Sequence, residues 1–434
     1  MRLEMVEFPV TDIRLGTRFR YHSGNLEVDG EELKESVLQD KRIEDARLEV
    51  VVPGEKVRVT GIRDVVEPRV KVEGKGQVFP GILGPVALVG EGRTHRLSGM
   101  AVLAAAKYEG IIRSGTDMER SAILDMWGPG AAASRFSALV NLALTLRLTE
   151  GLAELEAHTV IQRAELGVAK RLAEATLGLK PEKNVEVYDL SNEERDLPRV
   201  VLIQGYMTES HSPHSGVSYY GLPVRESLAT VIHPNELLDG AVGVNCTRGV
   251  CHHPTTWDWQ NHPLVLGLYR EHRRRLNFAG VILERIRFET HHGKEVIAHN
   301  TAQLGATLGA DGALVTWVGG GNAFVDVMLT IQACEQRGIK TVLVGYESGV
   351  KGGDAPLLYY VPEADAVVST GSRNSPIELP EAKRVIGDYE DIQILNYPGA
   401  PVVRAQGPVT LDARDMIIGG VDIWGMQSWS CKDY

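Results

Sequence analysis

The chain has 434 residues, of which 43% are apolar and 24% are charged, a composition typical of a globular protein with two or three domains. Its formal net charge of −11 argues against a nucleic-acid partner, because phosphate binding needs a basic surface. Four irregularly spaced cysteines argue against a disulfide framework. No signal peptide and no apolar run of about 20 residues is found, which predicts a cytoplasmic protein without a membrane span.

The first part of the chain, residues 1–112, is predicted to be a β-rich domain. Several of its stretches alternate apolar and polar residues with a period of two, the pattern of half-buried strands. Residues 113–185 are predicted to be a helical segment, because Leu148, Leu152 and Leu155 recur at spacings of four and three.

The remainder, residues 186–434, alternates strand-like and helix-like segments, starting with an apolar run at Arg199 that indicates a strand buried on both faces. Helices are predicted over residues 263–276, 295–308 and 323–337, and strands over 278–283, 312–317, 340–344 and 364–369. Such alternation predicts an α/β class with a C-terminal doubly wound parallel sheet. Functional loops should then lie at the carboxyl ends of its strands.

Residues with reactive or metal-binding side chains are most concentrated around Cys246. An Asn245–Cys246 pair in a glycine-rich stretch allows self-cleavage: the thiol attacks the preceding carbonyl, and the acyl group moves from nitrogen to sulfur. Elimination and hydrolysis would then leave a pyruvoyl group at the start of a new chain. Two alternatives remain open. Cys246 and Cys251 could bind a metal with His252 or His253, or one cysteine could be a nucleophile activated by a histidine.

Other motifs are less specific, and although one of them could bind a metal ion, we expect no metal site in this protein. His211 and His214 could share a metal ion or lie exposed in a polar loop. Residues 319–321, all glycine, could bind an anion at a helix start or form a tight turn, but they do not make a dinucleotide motif. Trp257 and Trp259 could form a cation–π wall for an amine, or simply pack.

Short stretches along almost the whole chain match one protein family in order. They are residues 64–74, 79–81, 92–94, 125–131, 233–236, 239–241, 245–246, 255–256, 260–261, 277–282, 308–312 and 338–342. Through them the chain resembles the proprotein of glycine/sarcosine/betaine reductase component B, which yields alpha and beta chains. It is also similar to the proprotein of D-proline reductase.

The resemblance implies that Cys246 is the precursor of a pyruvoyl cofactor, made by cleavage into residues 1–245 and 246–434. The implied catalytic residues are Cys246, Asn245, Thr247 and Glu236. The residues expected to bind the substrate or hold the processing site are His233, Asn235, Asp239, Thr255, Thr256, Gln260 and Asn261.

In that family the pyruvoyl carbonyl forms a Schiff base with a substrate amine, and a selenolate or thiolate then cleaves the C–N bond reductively. The implied partners are a second component-B subunit (a selenoprotein or its Cys homologue), a selenol or thiol carrier protein and the amine substrate, in an oligomer. The loops near Asp326 and Glu347 depart from the family pattern, which leaves the amine open. The alternative is an unprocessed, non-catalytic scaffold or small-molecule-binding protein of the same fold.

Overall fold

The computed structural model describes residues 1–107, 110–111, 122–180, 185–209, 216–224, 227–246, 254–287, 289–318, 322–347, 359–393, 401–427 and 429–431. Its helices are α1 (Gly30–Val37), α2 (Gly128–Ala133), α3 (Glu154–Ala173), α4 (Pro234–Leu238), α5 (Thr256–Gln260), α6 (Pro263–Glu271), α7 (His291–Thr307) and α8 (Ala323–Glu335). In the described part of the chain, no helix has the length and apolarity needed to span a bilayer.

The strands form seven sheets within these ranges. The strands before α4 are β1 (Arg2–Pro9), β2 (Asp12–Gly16), β3 (Arg20–His22), β4 (Asn25–Asp29), β5 (Ile43–Val51), β6 (Val57–Val66), β7 (Arg69–Glu73), β8 (Gly92–Ser98), β9 (Met100–Ala106), β10 (Ala122–Asp125), β11 (Val140–Leu148), β12 (Val185–Asp189), β13 (Arg199–Glu209), β14 (Gly216–Tyr219), β15 (Leu222–Pro223) and β16 (Ala229–Ile232). Those after it are β17 (Val242–Cys246), β18 (Asn277–Arg287), β19 (Gly312–Thr316), β20 (Lys340–Glu347), β21 (Val367–Ser372), β22 (Ile377–Leu379), β23 (Arg384–Ile386), β24 (Asp391–Gln393), β25 (Val402–Arg404), β26 (Val409–Leu411) and β27 (Ser430–Cys431).

In its described residues, the first part of the chain contains several strands and one short helix, α1. Its central sheet has the order β10-β6-β9-β11-β5, and every residue of β6 and β9 is buried. A second sheet, β12-β1-β8-β7, lies nearby, and α3 packs against strands of both. Acidic residues in the first turn of α3 and basic residues in its last turn favour the helix through its dipole.

The helical prediction for residues 113–185 is only partly correct. β10 and β11 lie in this segment, and β11 is an interior strand that pairs in parallel with β9 and antiparallel with β5. Leu148, where the helical spacing was expected to begin, is the last residue of β11. The strand Val140–Leu148 carries Val140 and then a leucine at every second position, which is the period of a strand. Leu148 therefore ends this run and does not begin the helical spacing.

The second large sheet has the order β16-β18-β13-β19-β20-β21-β27, and its five central strands are parallel. In chain order these five strands are arranged 2-1-3-4-5. Helix α6 packs on one face, in a cluster with Leu202 and Tyr206, whereas α7 and α8 pack on the other, with Val201 and Ile203. The α/β class is thus confirmed. The helix predicted to reach residue 276 ends earlier, at Glu271.

The two large sheets are joined through the end of the chain. After β21 the chain returns to the first sheet, where β23 pairs in parallel with β6. Ile417 also forms a bridge with Ile123 of β10. Residues 377–418 therefore pack in part on the N-terminal sheet, and the domain boundaries expected from the sequence stay a prediction.

Candidate active site

The Asn245–Cys246 bond lies at the end of β17. This strand is the edge of a three-stranded sheet in the order β15-β14-β17, and Cys246 lies opposite Gly216 of β14. Gly216 follows Glu209, the last residue of β13, after a short connection, and β13 and β14 are in contact. The bond therefore lies near the carboxyl end of the first parallel strand, and the described part of Asn245 and Cys246 is their backbone.

The carboxyl end of β13 is where ligand sites form in such sheets. The connection from β13 leads to β18 on one side, and the next strand, β19, pairs with β13 on its other side. Crevices outside the carboxyl ends of parallel strands, at the point where the connections diverge, are the usual ligand sites of open α/β sheets. β17 brings the expected processing site to this edge.

The backbone of Val244, two residues before Cys246, is held by two buried side chains. Its N–H donates to the hydroxyl of Thr256 at 3.2 Å, and its carbonyl accepts from Nε2 of Gln162 at 2.6 Å. Both side chains are buried, in α5 and α3 respectively. Backbone groups that an edge strand would otherwise expose to water are thus bonded inside the protein.

Asp64 orients the hydroxyl of Thr256. Its Oδ2 accepts from that hydroxyl at 2.5 Å, while Oδ1 accepts from the backbone N–H groups of Thr256 at 2.9 Å and Val65 at 2.8 Å. Burial raises the pKa of Asp64 to about 7, against the effect of these hydrogen bonds. We call Thr256, Gln162 and Asp64 the Val244 clamp.

A second buried acid lies beside the clamp. Glu165 of α3 is completely buried, and within the described residues its carboxyl oxygens make no hydrogen bond of normal geometry. Its polar neighbour is the backbone of Ala104, a residue that pairs with Asp64 across the sheet. Burial, and then the charge of Asp64, raises the pKa of Glu165 well above its ordinary value.

Two of the expected site residues form the start of α4. Nδ1 of His233 accepts from the backbone N–H of Asn235 at 3.1 Å, and Glu236 accepts in return from the N–H of His233 at 2.8 Å. The other oxygen of Glu236 accepts from the hydroxyls of Tyr219 and Tyr220 at 2.7 and 2.8 Å. Burial lowers the pKa of His233 to about 4, so its ring is neutral, as the accepting Nδ1 requires.

Asn235 and Asp239 hold the loop at Gly90, which has a left-handed φ of +99°. Asn235 donates to the Gly90 carbonyl at 3.0 Å, and Asp239 accepts from the Gly90 N–H at 2.8 Å. A Cβ at Gly90 would lie 3.0 Å from the Cβ of Asn235, which explains the glycine. Asp239 also pairs with Lys71 and accepts from the hydroxyl of Thr94 at 2.6 Å.

Three further expected residues bond to protein groups in or beside α5. Thr255 caps the helix. Gln260 exchanges two hydrogen bonds with the backbone of Glu67, at 3.0 and 3.2 Å. Asn261 accepts from Arg69 at 3.0 Å. These contacts are all within the protein, so the substrate roles expected for this group stay predictions.

Both tryptophans near Cys246 in the sequence pack against other aromatic rings, Trp259 fully buried and Trp257 partly buried. Trp259 is completely buried and lies edge-on to Trp424, with ring centroids 5.0 Å apart. Trp257 lies edge-on to Phe136 at 5.5 Å. Of the two sequence interpretations, packing is the one that these contacts support.

Several expected features lie outside the described residues. They are Thr247, the side chains of Asn245 and Cys246, the possible metal ligands Cys251, His252, His253, His211 and His214, and residues 319–321. Across the ranges that are described, no group of three or more His, Cys, Asp or Glu side chains is arranged to hold a metal ion.

Comparison with known proteins identifies the family. The family model of glycine/sarcosine/betaine reductase component B subunits matches residues 1–432. The chain belongs to this family. Its resemblance to component B, predicted from short stretches of sequence, is therefore confirmed over the whole chain.

Curated relatives in this family are subunits of reductase complexes. The chain is 34% identical to the sarcosine reductase complex component B subunit alpha of Peptoclostridium acidaminophilum, over 92% of both chains. It is 32% identical to the glycine reductase complex component B subunits alpha and beta of Acetoanaerobium sticklandii, over the full length of both. The D-proline reductase proprotein of that organism is 20% identical over 78% of this chain and 54% of its own length. No solved structure matches the chain.

Sequence reasoning missed most of the clamp of this component B chain. Thr256 was expected at the site, but Asp64 appeared only within a matching stretch, and Gln162 and Glu165 were not singled out. One signal was available for Glu165, which lies on the buried face of α3, whereas Asp64 lies in a strand, β6, that also carries Arg58, Thr60 and Arg63. An acid among apolar residues indicates either a buried partner or a functional site.

Proposed function

We propose that this component B chain cleaves itself at Asn245–Cys246 and serves as the pyruvoyl-bearing, substrate-binding subunit of a multi-subunit amine reductase of the glycine/sarcosine/betaine type. Family membership over residues 1–432 supports the reductase complex as the setting. The relatives named as subunits of sarcosine, glycine and betaine reductase complexes support the amine class. A partner subunit would supply the selenolate or thiolate that cleaves the C–N bond.

The observation that carries this proposal is the position of the bond. β17 ends at Cys246 beside the carboxyl end of β13, and Val244 is bonded through both of its backbone polar groups. A carbonyl formed at residue 246 would therefore lie at the edge of the sheet where substrates usually bind. A fixed backbone also favours an intramolecular attack on the peptide bond, because orientation replaces a collision between separate molecules.

The processing reaction needs no external oxidant or reductant. The Cys246 sulfur adds to the Asn245 carbonyl, and the C–N bond breaks as a thioester forms. Loss of the α-proton then breaks the Cβ–S bond, leaving a thiocarboxylate on residue 245 and dehydroalanine at residue 246. Water hydrolyses the tautomeric imine to a pyruvoyl group and ammonia, and the thiocarboxylate to a carboxylate and hydrogen sulfide.

The residues around the bond fit such a group. Once formed, it supplies an electron-withdrawing carbonyl that can take up a substrate amine. Thr256 and Gln162 would hold the chain on the preceding side, and the buried polar side chains near them keep bulk water away from Val244. The reducing thiol or selenol would come from a partner, since the sequence has no Cys-x-x-Cys and no selenocysteine.

Denaturing electrophoresis and intact-mass measurement of the purified chain test the cleavage. We expect two fragments, residues 1–245 and 246–434, with the second resistant to Edman degradation because it lacks an amino group. The Cys246→Ala variant should remain a single chain, whereas Cys251→Ala, a change at the neighbouring cysteine, should still be cut. An active preparation that contains only the intact 47.5 kDa chain would refute the proposal and favour the unprocessed scaffold.

Borohydride trapping identifies the amine. The processed protein is incubated with glycine, sarcosine or proline, reduced with borohydride and digested, and the mass of the 246–434 fragment is measured. A substrate should raise the mass of that fragment by its own mass less one oxygen atom, because condensation releases water and the reduction adds two hydrogens. If none of the three amines adds mass while the fragment remains reducible, the substrate is a different amine.

A further inference from the structure

We propose that the Val244 clamp, defined by Thr256, Gln162 and Asp64, positions the Asn245–Cys246 bond for self-cleavage. The inference rests on the proposed function and extends it to Asp64 and Gln162, for which the family resemblance implies no role. Asp64 and Gln162 act as positioning residues, because Asp64 acts through Thr256 and Gln162 acts through the backbone of Val244.

The location of Val244, directly before Asn245, allows the clamp to fix the backbone at the bond that is cleaved. Within the described ranges β17 is an edge strand that pairs with β14 alone, and that pairing is irregular between Gly216 and Val217, next to the bond. On the other side of the strand, two buried side chains replace a neighbouring strand. The first carbonyl beyond the clamp is that of Asn245, the group under attack.

The polarity of the hydrogen bonds explains why Asp64 is needed. The Thr256 hydroxyl has a single proton, and the carboxyl of Asp64 accepts it, so a lone pair of the hydroxyl faces the N–H of Val244. Backbone N–H groups of Val65 and Thr256 fix the carboxyl itself. In an Asp64→Asn variant the amide would donate to the hydroxyl and leave the hydroxyl proton without its acceptor.

The clamp spans the proposed cut. Asp64, Gln162 and Val244 belong to the first fragment, and Thr256 belongs to the second. The four groups are therefore brought together by the folded chain, and a displacement of about 1 Å in such an arrangement can slow a reaction by about 100-fold.

Cell-free translation of the full chain, with a pulse of labelled methionine and a chase, measures the rate at which the precursor becomes two fragments. Thr256→Val keeps the size of the side chain but removes the hydroxyl, and should slow cleavage by about 10- to 100-fold. Thr256→Ser restores the hydroxyl and should restore most of the rate. Gln162→Met removes the second hydrogen bond and should also slow cleavage.

Thr330→Val is the matched control. The Thr330 hydroxyl also donates to a buried carboxyl, that of Glu284, but it lies on α8, outside the clamp. This variant should lose comparable stability in urea and yet cleave at the wild-type rate. If Thr256→Val fails to fold, the test uses Gln162→Met instead, a change at a residue that is 9% exposed.

Two outcomes separate the proposals. An intact wild-type chain would overturn the proposed function and the clamp with it. Wild-type cleavage combined with full-rate cleavage of folded Thr256→Val or of Gln162→Met would overturn the clamp alone.

Discussion

Arg58 and Asp125 form an ion pair without contact to solvent. Nε and Nη2 of the guanidinium donate to the two carboxylate oxygens at 2.6 and 2.8 Å. The same guanidinium donates to the carbonyls of Pro380, Ala405 and Gly407. A single buried cation therefore joins the first sheet to the segment that returns to it near the end of the chain.

Arg58→Met should destabilise the protein severely. The change leaves Asp125 buried without its partner and three carbonyls without a donor, and we expect a loss of about 3–5 kcal/mol in the free energy of unfolding. The urea midpoint measures it. Arg47→Met breaks the exposed pair with Asp388 and should change that free energy by less than about 1 kcal/mol. Similar midpoints for the two variants would contradict the prediction.

Asp239→Asn should also destabilise the protein, because it leaves the buried ammonium of Lys71 without an anion. We expect a lower urea midpoint, by about 2–4 kcal/mol in free energy. Adding Lys71→Met should recover part of the loss, since no charge is then left unpaired. A double variant less stable than Asp239→Asn would show that the pair is not the source of the effect.

Deprotonation of Glu284 should lower the free energy of unfolding as the pH rises. Burial raises its pKa from 4.5 to about 8, so between these values the folded state keeps a proton that the unfolded state has released. This contribution to stability is complete below pH 4.5, falls by up to about 1.4 kcal/mol per pH unit and levels off above pH 8. Urea midpoints between pH 5 and 9 should decline more steeply for the wild type than for Glu284→Gln, and parallel curves would contradict this.

The two fragments should stay together after cleavage. β13, from the first fragment, lies between β18 and β19, both from the second; it pairs with β18 from Arg199 to Glu209 and with β19 from Val200 to Gln204. β23 of the second fragment likewise pairs with β6 of the first. Native gel filtration should yield one species that contains both fragments in equal amounts, separable only in denaturant. Separate elution in native buffer would refute this arrangement.

The sequence predicted local elements well where pattern and burial agree. The apolar run at Arg199 is β13, and the expected helix from Ala323 is α8, because both have the length and composition of their element. β11 was missed because its last residue, Leu148, was assigned to the helical spacing, although leucine recurs at every second position of this strand. The clamp could not be predicted either: Asp64 and Thr256 are 192 residues apart, and only the pairing of distant strands brings them into contact.

The clamp also implies that folding comes before cleavage. Thr256 lies beyond the bond and Asp64 and Gln162 lie far before it, so a nascent chain has no clamp until residue 256 has been made and α5 and α3 have packed beside β6 and β17. If cleavage depends on it, the reactive carbonyl is made only in molecules that have already folded correctly. Processing would then act as quality control, and the uncut fraction in a preparation would measure how much of the protein failed to fold.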